Sequence, residues 1–170
     1  MTTSRAGSAP VEPNQPAAQQ MWEEYIGVHP EHRHEQPPSE SFGDSAALAD
    51  ELLELVIHGP KRATAGAVAD YRHEQQPLPR IGGHWIVHDG SGVPRAVLQS
   101  VELRLGPLSS VDASFAWDEG EGDRTREDWV GTHRRYFQRT LPKIGVEYDD
   151  EVEVVFERFR LVWPAEYADA

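Results

Sequence analysis

Two side chains that could carry out chemistry lie three residues apart in the segment 59–66, Gly-Pro-Lys-Arg-Ala-Thr-Ala-Gly. Lys61 supplies an amine and Thr64 a hydroxyl. Only two of the 16 Lys and Arg residues are lysines, Lys61 and Lys143. A desolvated amine can lose its proton near neutral pH, whereas a guanidinium stays charged. Two interpretations stay open: a surface lysine with a Thr that caps or packs, or a desolvated lysine that takes a proton from Thr64 or contacts a phosphate.

A second candidate is the acidic run Glu119-Gly120-Glu121-Gly122-Asp123. Carboxylates separated by glycines can bind Mg²⁺ or act as a general acid or base. The alternative is a solvated loop ahead of a helix, whose dipole favours negative charge. The spacing alone favours the solvated loop. We therefore assign no cofactor and no metal ligand, and keep a divalent cation at residues 119–123 as the alternative.

Three histidines, His29, His32 and His34, lie close together in a segment that contains Pro30, Pro37 and Pro38. Histidines this close suggest a metal site. The spacing contains no helical i, i+4 pair, and the prolines favour a solvated loop. We interpret this segment as a loop without a metal.

The helix that leads into Lys61 has the clearest pattern in the chain. Asp44 or Ser45 can cap its start, and Gly59 with Pro60 ends it. Apolar side chains repeat at helical spacing on one face, at Leu48, Leu52, Leu55 and Val56. The helix therefore packs on a core and delivers the chain to Lys61.

The other segments predict a mixture of helices and strands. We expect helices over 17–26 and from Thr125 to about Thr140, with a short helix within 111–116. The segment 67–74 is predicted as a helix or a loop. Strands are expected over 84–88 and 95–105, which form a hairpin, and over 151–163 at the end. His133 is interpreted as a packed side chain. The predicted fold class is α+β, because strands lie between two or three helices and a long strand comes last. Short mixed strands of this number often close into a small barrel, and we expect such a barrel here.

Composition limits the possible partners. The chain has 170 residues, a net charge of −13 and no cysteine. Binding to long DNA or RNA is disfavoured, because phosphate contacts supply most of that affinity. There is no apolar run that could span a bilayer and no secretory signal, so the expected location is cytoplasmic. We expect a disordered tail over 1–16, a single domain over 17–165 and a short tail over 166–170.

Several motifs, in this order, resemble those of the ASCH domain family, named after the activating-signal-cointegrator-1 homology domain. They are Trp22-x-x-Tyr25, Phe42-Gly43-Asp44-Ser45, the helix before Gly59, Lys61-x-Ala63-Thr64, Pro77-Leu78-Pro79, residues 119–124, Trp129 and Glu157-Arg158-Phe159-Arg160. The resemblance implies a PUA-like β-barrel with flanking helices and a cleft for RNA or a nucleoside-like ligand. One departure is Gly82-Gly83, where the family pattern has Gly-Asp.

The resemblance also implies roles for individual residues. The family pattern G-x-K-x-x-T matches Gly59, Lys61 and Thr64, and Glu119 matches the acidic partner of bacterial N4-acetylcytidine amidohydrolases. There, Lys61 would take the proton of Thr64, whose oxygen attacks the acetyl group, while Glu119 orients the lysine or protonates the leaving amine. In members described as ribonucleases, Lys61 would instead stabilise charge on the scissile phosphate.

A hydrolytic activity of the ribonuclease type, centred on Lys61, is the leading functional prediction. The alternatives are the amidohydrolase, a non-catalytic RNA-binding module and a small-ligand sensor. The predicted partner is RNA or a modified nucleoside. The residues expected to contact it are Arg62, Tyr71, Trp117, Glu121, Asp123, Arg124 and Trp129, with Trp117 or Trp129 as the surface on which a base stacks.

Overall fold

A computed structural model describes residues 8–170. The helices are α1 (Gln15–Val28), α2 (Ala46–Ile57), α3 (Val68–His73), α4 (Ala113–Glu119) and α5 (Arg126–Thr140). The strands are β1 (Ser39–Glu40), β2 (Ala63–Ala67), β3 (His84–His88), β4 (Pro94–Pro107) and β5 (Glu153–Trp163). They form one sheet in the order β1-β3-β4-β5-β2. The predicted α+β class is confirmed, with an open sheet over the described residues, and barrel closure stays a prediction.

The chain divides into two compact units. The first comprises Pro60–Ile81 and Ser100–Phe159, and the second comprises residues 8–59, Gly82–Gln99 and residues 160–170. Strands β4 and β5 contribute residues to both units. In residues 8–170, no helix is long and apolar enough to cross a bilayer.

In the first unit, β2 pairs antiparallel with β5, from Ala63 opposite Arg158 to Ala67 opposite Val154. The alternate alanines of β2 face a buried core formed with α4, α5 and β5. Its largest members are Phe115, Trp129, Phe137, Leu141 and Phe156. This face of β2 carries small side chains, and bulky rings fill the space opposite them.

Helices α4 and α5 begin at side-chain caps. Asp112 accepts a hydrogen bond from the Phe115 amide at 2.7 Å, and Thr125 accepts one from the Asp128 amide at 3.1 Å. Each cap satisfies an amide that has no partner within the helix. The predicted start and end of α5 are confirmed. Helix α4 extends to Glu119, past the predicted short helix, and so reaches the acidic run.

In the second unit, β3 pairs in parallel with β1 and antiparallel with β4. The hairpin between β3 and β4 agrees with the prediction. Trp22 and Tyr25 of α1 pack against Ile86 and Val97. Ser45 caps α2 by accepting a hydrogen bond from the Leu48 amide at 3.2 Å. Of the two residues predicted to cap this helix, Asp44 and Ser45, it is therefore the second that does so.

The N-terminal helix is longer than predicted at both ends, and its last residue is Val28 rather than Ile26. Helix α1 begins at Gln15, two residues before the expected start, because Asn14 accepts a hydrogen bond from the Ala17 amide at 3.1 Å. The predicted tail over 1–16 includes residues 1–7, which lie outside the described residues. After them, the Val11 amide donates to the Gly90 carbonyl at 3.0 Å. The described part of the segment therefore has specific backbone partners.

Candidate functional site

Lys61 lies just before β2 and is only 1% exposed. Its Nζ donates to the Ala63 carbonyl at 2.8 Å, and lies 3.2 Å from Glu121 Oε1 and 3.9 Å from Glu119 Oε1. Glu119 and Glu121 are 1% and 6% exposed. The interpretations as a surface lysine and as a solvated acidic loop are therefore wrong for these three residues. They form a buried ionic group.

Gly120 allows the acidic run to approach the lysine this closely. Its φ is +71°, a conformation that ends α4, and a Cβ built there would lie 2.8 Å from both Cα and N of Lys61. Beside it, the Arg62 amide donates to the Asp118 carbonyl at 2.8 Å. Glycine is favoured here for two reasons, because it tolerates positive φ and leaves room for another backbone.

Replacing Gly120 with Ala is expected to lower the free energy of unfolding by about 3 kcal/mol or more, because a left-handed alanine costs roughly 1 kcal/mol and the backbone clash adds to it. Gly145 is the matched control. It has φ +77°, but no atom lies within 4 Å of its Cβ position. Urea unfolding of both variants isolates the clash, and equal losses in the two would contradict the close approach.

Glu119 is held by two further side chains. His133 Nε2 lies 2.8 Å from Glu119 Oε1, and the Trp129 indole N–H donates to Glu119 Oε2 at 2.5 Å. The rings of Trp129 and His133 stack with centroids 3.7 Å apart. His133 is 0% exposed and is packed, as expected from the sequence, but its contact with Glu119 was not predicted. These contacts fix both oxygens of Glu119.

The hydrogen bonds of His133 specify where a proton lies. Its Nδ1 is 2.9 Å from the Trp129 carbonyl, which can only accept, so this nitrogen carries a hydrogen. Its Nε2 faces the Glu119 carboxyl, so a proton must also lie between these two groups. Burial by itself raises the pKa of Glu119, but the charges of His133 and Lys61 and the hydrogen bonds from His133 and Trp129 lower it well below its ordinary value of 4.5. The Glu119 carboxyl is therefore held as a carboxylate against the His133 ring.

The cluster consequently places two basic side chains, Lys61 and His133, against two acidic ones, Glu119 and Glu121. Glu119, Glu121 and His133 present possible metal-ligating atoms within 4.8 Å of one another. The Lys61 ammonium already balances the carboxylates, and a divalent cation beside it would add an unpaired buried charge. This group does not fit a metal, and we derive no metal chemistry from residues 119–123.

The lowered pKa of Glu119 predicts how stability changes with pH. Because the pKa is lower in the folded chain than in the unfolded one, the stabilisation is fully present above about pH 4.5 and is lost as the pH falls towards about 2. The difference in unfolding free energy between the wild type and Glu119→Gln is therefore expected to shrink over that interval. Urea unfolding at several pH values measures it, and a constant difference would contradict the ionised carboxylate.

Three predicted ligand contacts lie on the exposed side of the acidic run. Trp117 is 58% exposed, and the Arg124 guanidinium lies 3.6 Å from its ring centroid while Arg124 Nε donates to its carbonyl. Asp123 is exposed and accepts two hydrogen bonds from Thr125, which lower its pKa. Asp123 therefore orders the turn before α5, and Trp117 with Arg124 forms a flat polar surface.

The remaining predicted residues are distributed over β2 and its neighbours. Trp129 is buried and holds Glu119, so its predicted role as a stacking surface is not supported by its position.

Thr64 lies opposite Glu157 in the β2–β5 ladder, on the face away from the alanines. The Thr64 nucleophile stays a prediction. Tyr71 packs close to Gly66 on that same face, and Arg62 Nη1 donates to the Lys61 carbonyl at 2.7 Å.

One buried carboxylate on this face was missed. Glu157 is 5% exposed and accepts a hydrogen bond from the Ser100 hydroxyl, which is also buried. In the sequence, Glu157 stands between Phe156 and Arg158 in a strand with several polar positions. Val155 and Phe159, two residues to either side, are apolar and share its strand face, and this was the signal that could have indicated its burial.

The family model of the ASCH domain matches residues 39–163. This chain belongs to the ASCH domain family. The recognition from sequence is thereby confirmed, and the family is associated with RNA binding. Comparison with curated protein sequences gives no match.

Two crystal structures are similar to this ASCH chain. A protein of the DUF984 family from Enterococcus faecalis has a TM-score of 0.79 at 28% identity, over 87% of this chain and 89% of that chain. An ASCH domain from Lactobacillus crispatus has a TM-score of 0.78 at 23% identity, over 86% of this chain and 94% of that chain. The second likeness concerns the fold alone. Both agree with the α+β architecture described above.

Proposed function

We propose that this ASCH-domain chain binds a nucleoside-like ligand, free or within a short RNA, and hydrolyses an amide on its base at the Lys61 cluster. The observation that carries the proposal is the enclosed Lys61 amine between Glu119 and Glu121. An amine held between carboxylates is placed to exchange a proton with them, as general acid–base catalysis requires. Cleavage of an N4-acetylated cytosine is the reaction of this class that the family resemblance suggests.

The charges favour amide hydrolysis over phosphodiester cleavage. Both carboxylates lie within 4 Å of the Lys61 Nζ, at 3.2 and 3.9 Å. A phosphate brought to the same amine would meet these two negative charges, each repelling it by about 4 kcal/mol at 4 Å with an effective dielectric constant of about 20. A neutral base avoids this repulsion. The net charge of −13 also disfavours a long polyanion.

The proposed reaction breaks the bond between the acetyl carbon and the exocyclic nitrogen. An oxygen nucleophile, either water or the Thr64 hydroxyl followed by water, adds to the acetyl carbon and gives up its proton. The Glu121 carboxylate accepts that proton, the Lys61 ammonium donates one to the leaving nitrogen, and Glu121 then returns its proton to Lys61. Glu119, held by His133 and Trp129, keeps Lys61 in position. The exocyclic nitrogen leaves with a proton. The products are acetate and the unmodified nucleoside.

Recognition of the base is assigned to the exposed surface of Trp117 and Arg124. An exposed indole with a guanidinium beside it offers planar groups on which a nucleobase stacks. Arg124 is fixed to the Trp117 carbonyl at 2.9 Å, which reduces the entropy that would be lost on binding. The surface belongs to the same loop that delivers Glu119 and Glu121.

The test compares N4-acetylcytidine with a short unmodified RNA, using the wild-type chain. We expect acetate release from the nucleoside and binding that changes little between low and high salt, because no phosphate is contacted. Cleavage of the RNA without acetate release would support the ribonuclease instead. Salt-dependent RNA binding without either reaction would show that the chain is a non-catalytic RNA-binding module, and it would overturn the proposal.

A further inference from the structure

A second cluster of buried and half-buried titratable groups lies in the other unit, in residues 8–59 and Gly82–Gln99. His32, Glu35 and His84 each present a possible metal-ligating atom, and these atoms lie within 4.8 Å of one another. The Glu35 carboxylate bridges the two imidazoles, with Oε1 3.0 Å from His32 Nδ1 and Oε2 2.9 Å from His84 Nδ1. Two of these residues are close in sequence, and the third enters from the start of β3.

The surroundings orient the buried histidine. The Tyr25 hydroxyl lies 3.0 Å from His84 Nε2, so that Nδ1 points towards Glu35. A metal-binding histidine commonly makes such a hydrogen bond with its second nitrogen, which fixes the ring and its tautomer. The His32 ring meets the His84 ring edge to face at 4.4 Å. Both imidazoles are therefore held in place before any ligand binds.

We propose that His32, Glu35 and His84 form a binding site for a divalent cation of the zinc type. Two imidazole nitrogens with one carboxylate oxygen suit Zn²⁺ and neighbouring transition metals, whereas Mg²⁺ and Ca²⁺ prefer oxygen ligands alone. Three protein ligands leave a fourth tetrahedral position for water or another ligand.

The distances fit this assignment. In a tetrahedral site with metal–ligand bonds of about 2.0–2.1 Å, neighbouring ligand atoms lie about 3.3 Å apart. The two nitrogen–oxygen pairs measured here are 3.0 and 2.9 Å apart and involve different oxygens of Glu35, and the ligand atoms of the three residues lie within 4.8 Å of one another. One carboxylate oxygen and the two nitrogens therefore reach this spacing by small rotations of the side chains. A purely structural cluster, in which Glu35 accepts two hydrogen bonds, has the same geometry without metal. Only a binding measurement separates the two.

The exposure of the three ligands leaves a way in for the ion. The His84 side chain is fully buried, whereas those of Glu35 and His32 are 18% and 24% exposed. Glu35 also lines a cavity of about 330 Å³, together with Trp22, Ile26, Arg33 and Gln36. An ion could thus reach Glu35 from this cavity, and Glu35 contacts the buried His84.

The experiment is a titration of the metal-free full-length chain with Zn²⁺, followed by calorimetry, and with Co²⁺, followed by visible absorption. The wild type is expected to bind one ion at this site and to show the absorption of tetrahedral Co²⁺. His32→Ala and Glu35→Gln, at half-exposed positions, should each weaken binding by about 100-fold, as loss of a ligand exceeds the 10- to 100-fold effect of its supporting groups. His84→Asn should do the same if it folds.

His58→Ala is the control, because His58 is exposed and contacts Glu54 rather than this cluster. It should bind Zn²⁺ and Co²⁺ as the wild type does. The proposal is overturned if the wild type binds no stoichiometric metal, or if folded His32→Ala and Glu35→Gln bind it as tightly as the wild type.

Discussion

Replacing Glu119 with Gln is expected to lower the free energy of unfolding by about 3–5 kcal/mol, the range for breaking a buried ion pair by removing one partner. The change removes one of the two carboxylates from a buried set that includes Lys61 and His133, and it breaks the buried contact of Glu119 with Lys61. It also replaces an oxygen that accepts from His133 by an amide that matches the hydrogen-bond pattern less well.

Glu147→Gln is the matched control for this substitution, because it makes the same chemical change in the same unit at an exposed position. Urea unfolding should show little effect there. A loss below about 1 kcal/mol for Glu119→Gln would mean that the buried cluster is not ionised as described.

Removing the amine of Lys61 is expected to reduce the rate of amide hydrolysis by about 100-fold or more, since a positioned acid or base contributes 10²–10⁴-fold. Lys143→Met is the control variant, because Lys143 is the other lysine of the chain and is exposed. Lys143→Met should hydrolyse N4-acetylcytidine at the wild-type rate.

Lys61→Met by itself leaves two buried carboxylates without the lysine ammonium and is expected to fold poorly. The double variant Lys61→Met with Glu121→Gln removes one charge of each sign and keeps the balance. If this double variant folds and still hydrolyses the substrate at the wild-type rate, Lys61 is not the catalytic amine.

The helices were predictable because their signals are local. Ser45 and Thr125 cap helices whose apolar spacing is visible in the sequence, and the structure confirms both. Strand β2 was not predicted, since its five residues are alanines, a threonine and a glycine, with no alternation of apolar and polar side chains. Its extended conformation comes from pairing with β5, which lies about 90 residues later in the chain.

The candidate site was only partly predictable for the same reason. Lys61 was singled out by its rarity, and Glu119 by family resemblance. The spacing of the acidic run alone favoured a solvated loop, because the contact that buries it, Gly120 against the Lys61 backbone, joins segments far apart in sequence. The pairing of His133 with Glu119 is equally non-local. In the other unit, the sequence assigns His32 to a loop without a metal. Its proximity to His84 through Glu35 could not be predicted, because His84 lies in β3, far along the chain.

The central claim is that Lys61 acts by exchanging a proton and not only by its charge. Lys61→Arg tests this directly, because arginine keeps the positive charge between Glu119 and Glu121 but does not give up its proton. With N4-acetylcytidine, we expect the folded variant to bind the ligand within a few-fold of the wild type and to release acetate about 100-fold more slowly or not at all. Acetate release at the wild-type rate by Lys61→Arg would contradict the account.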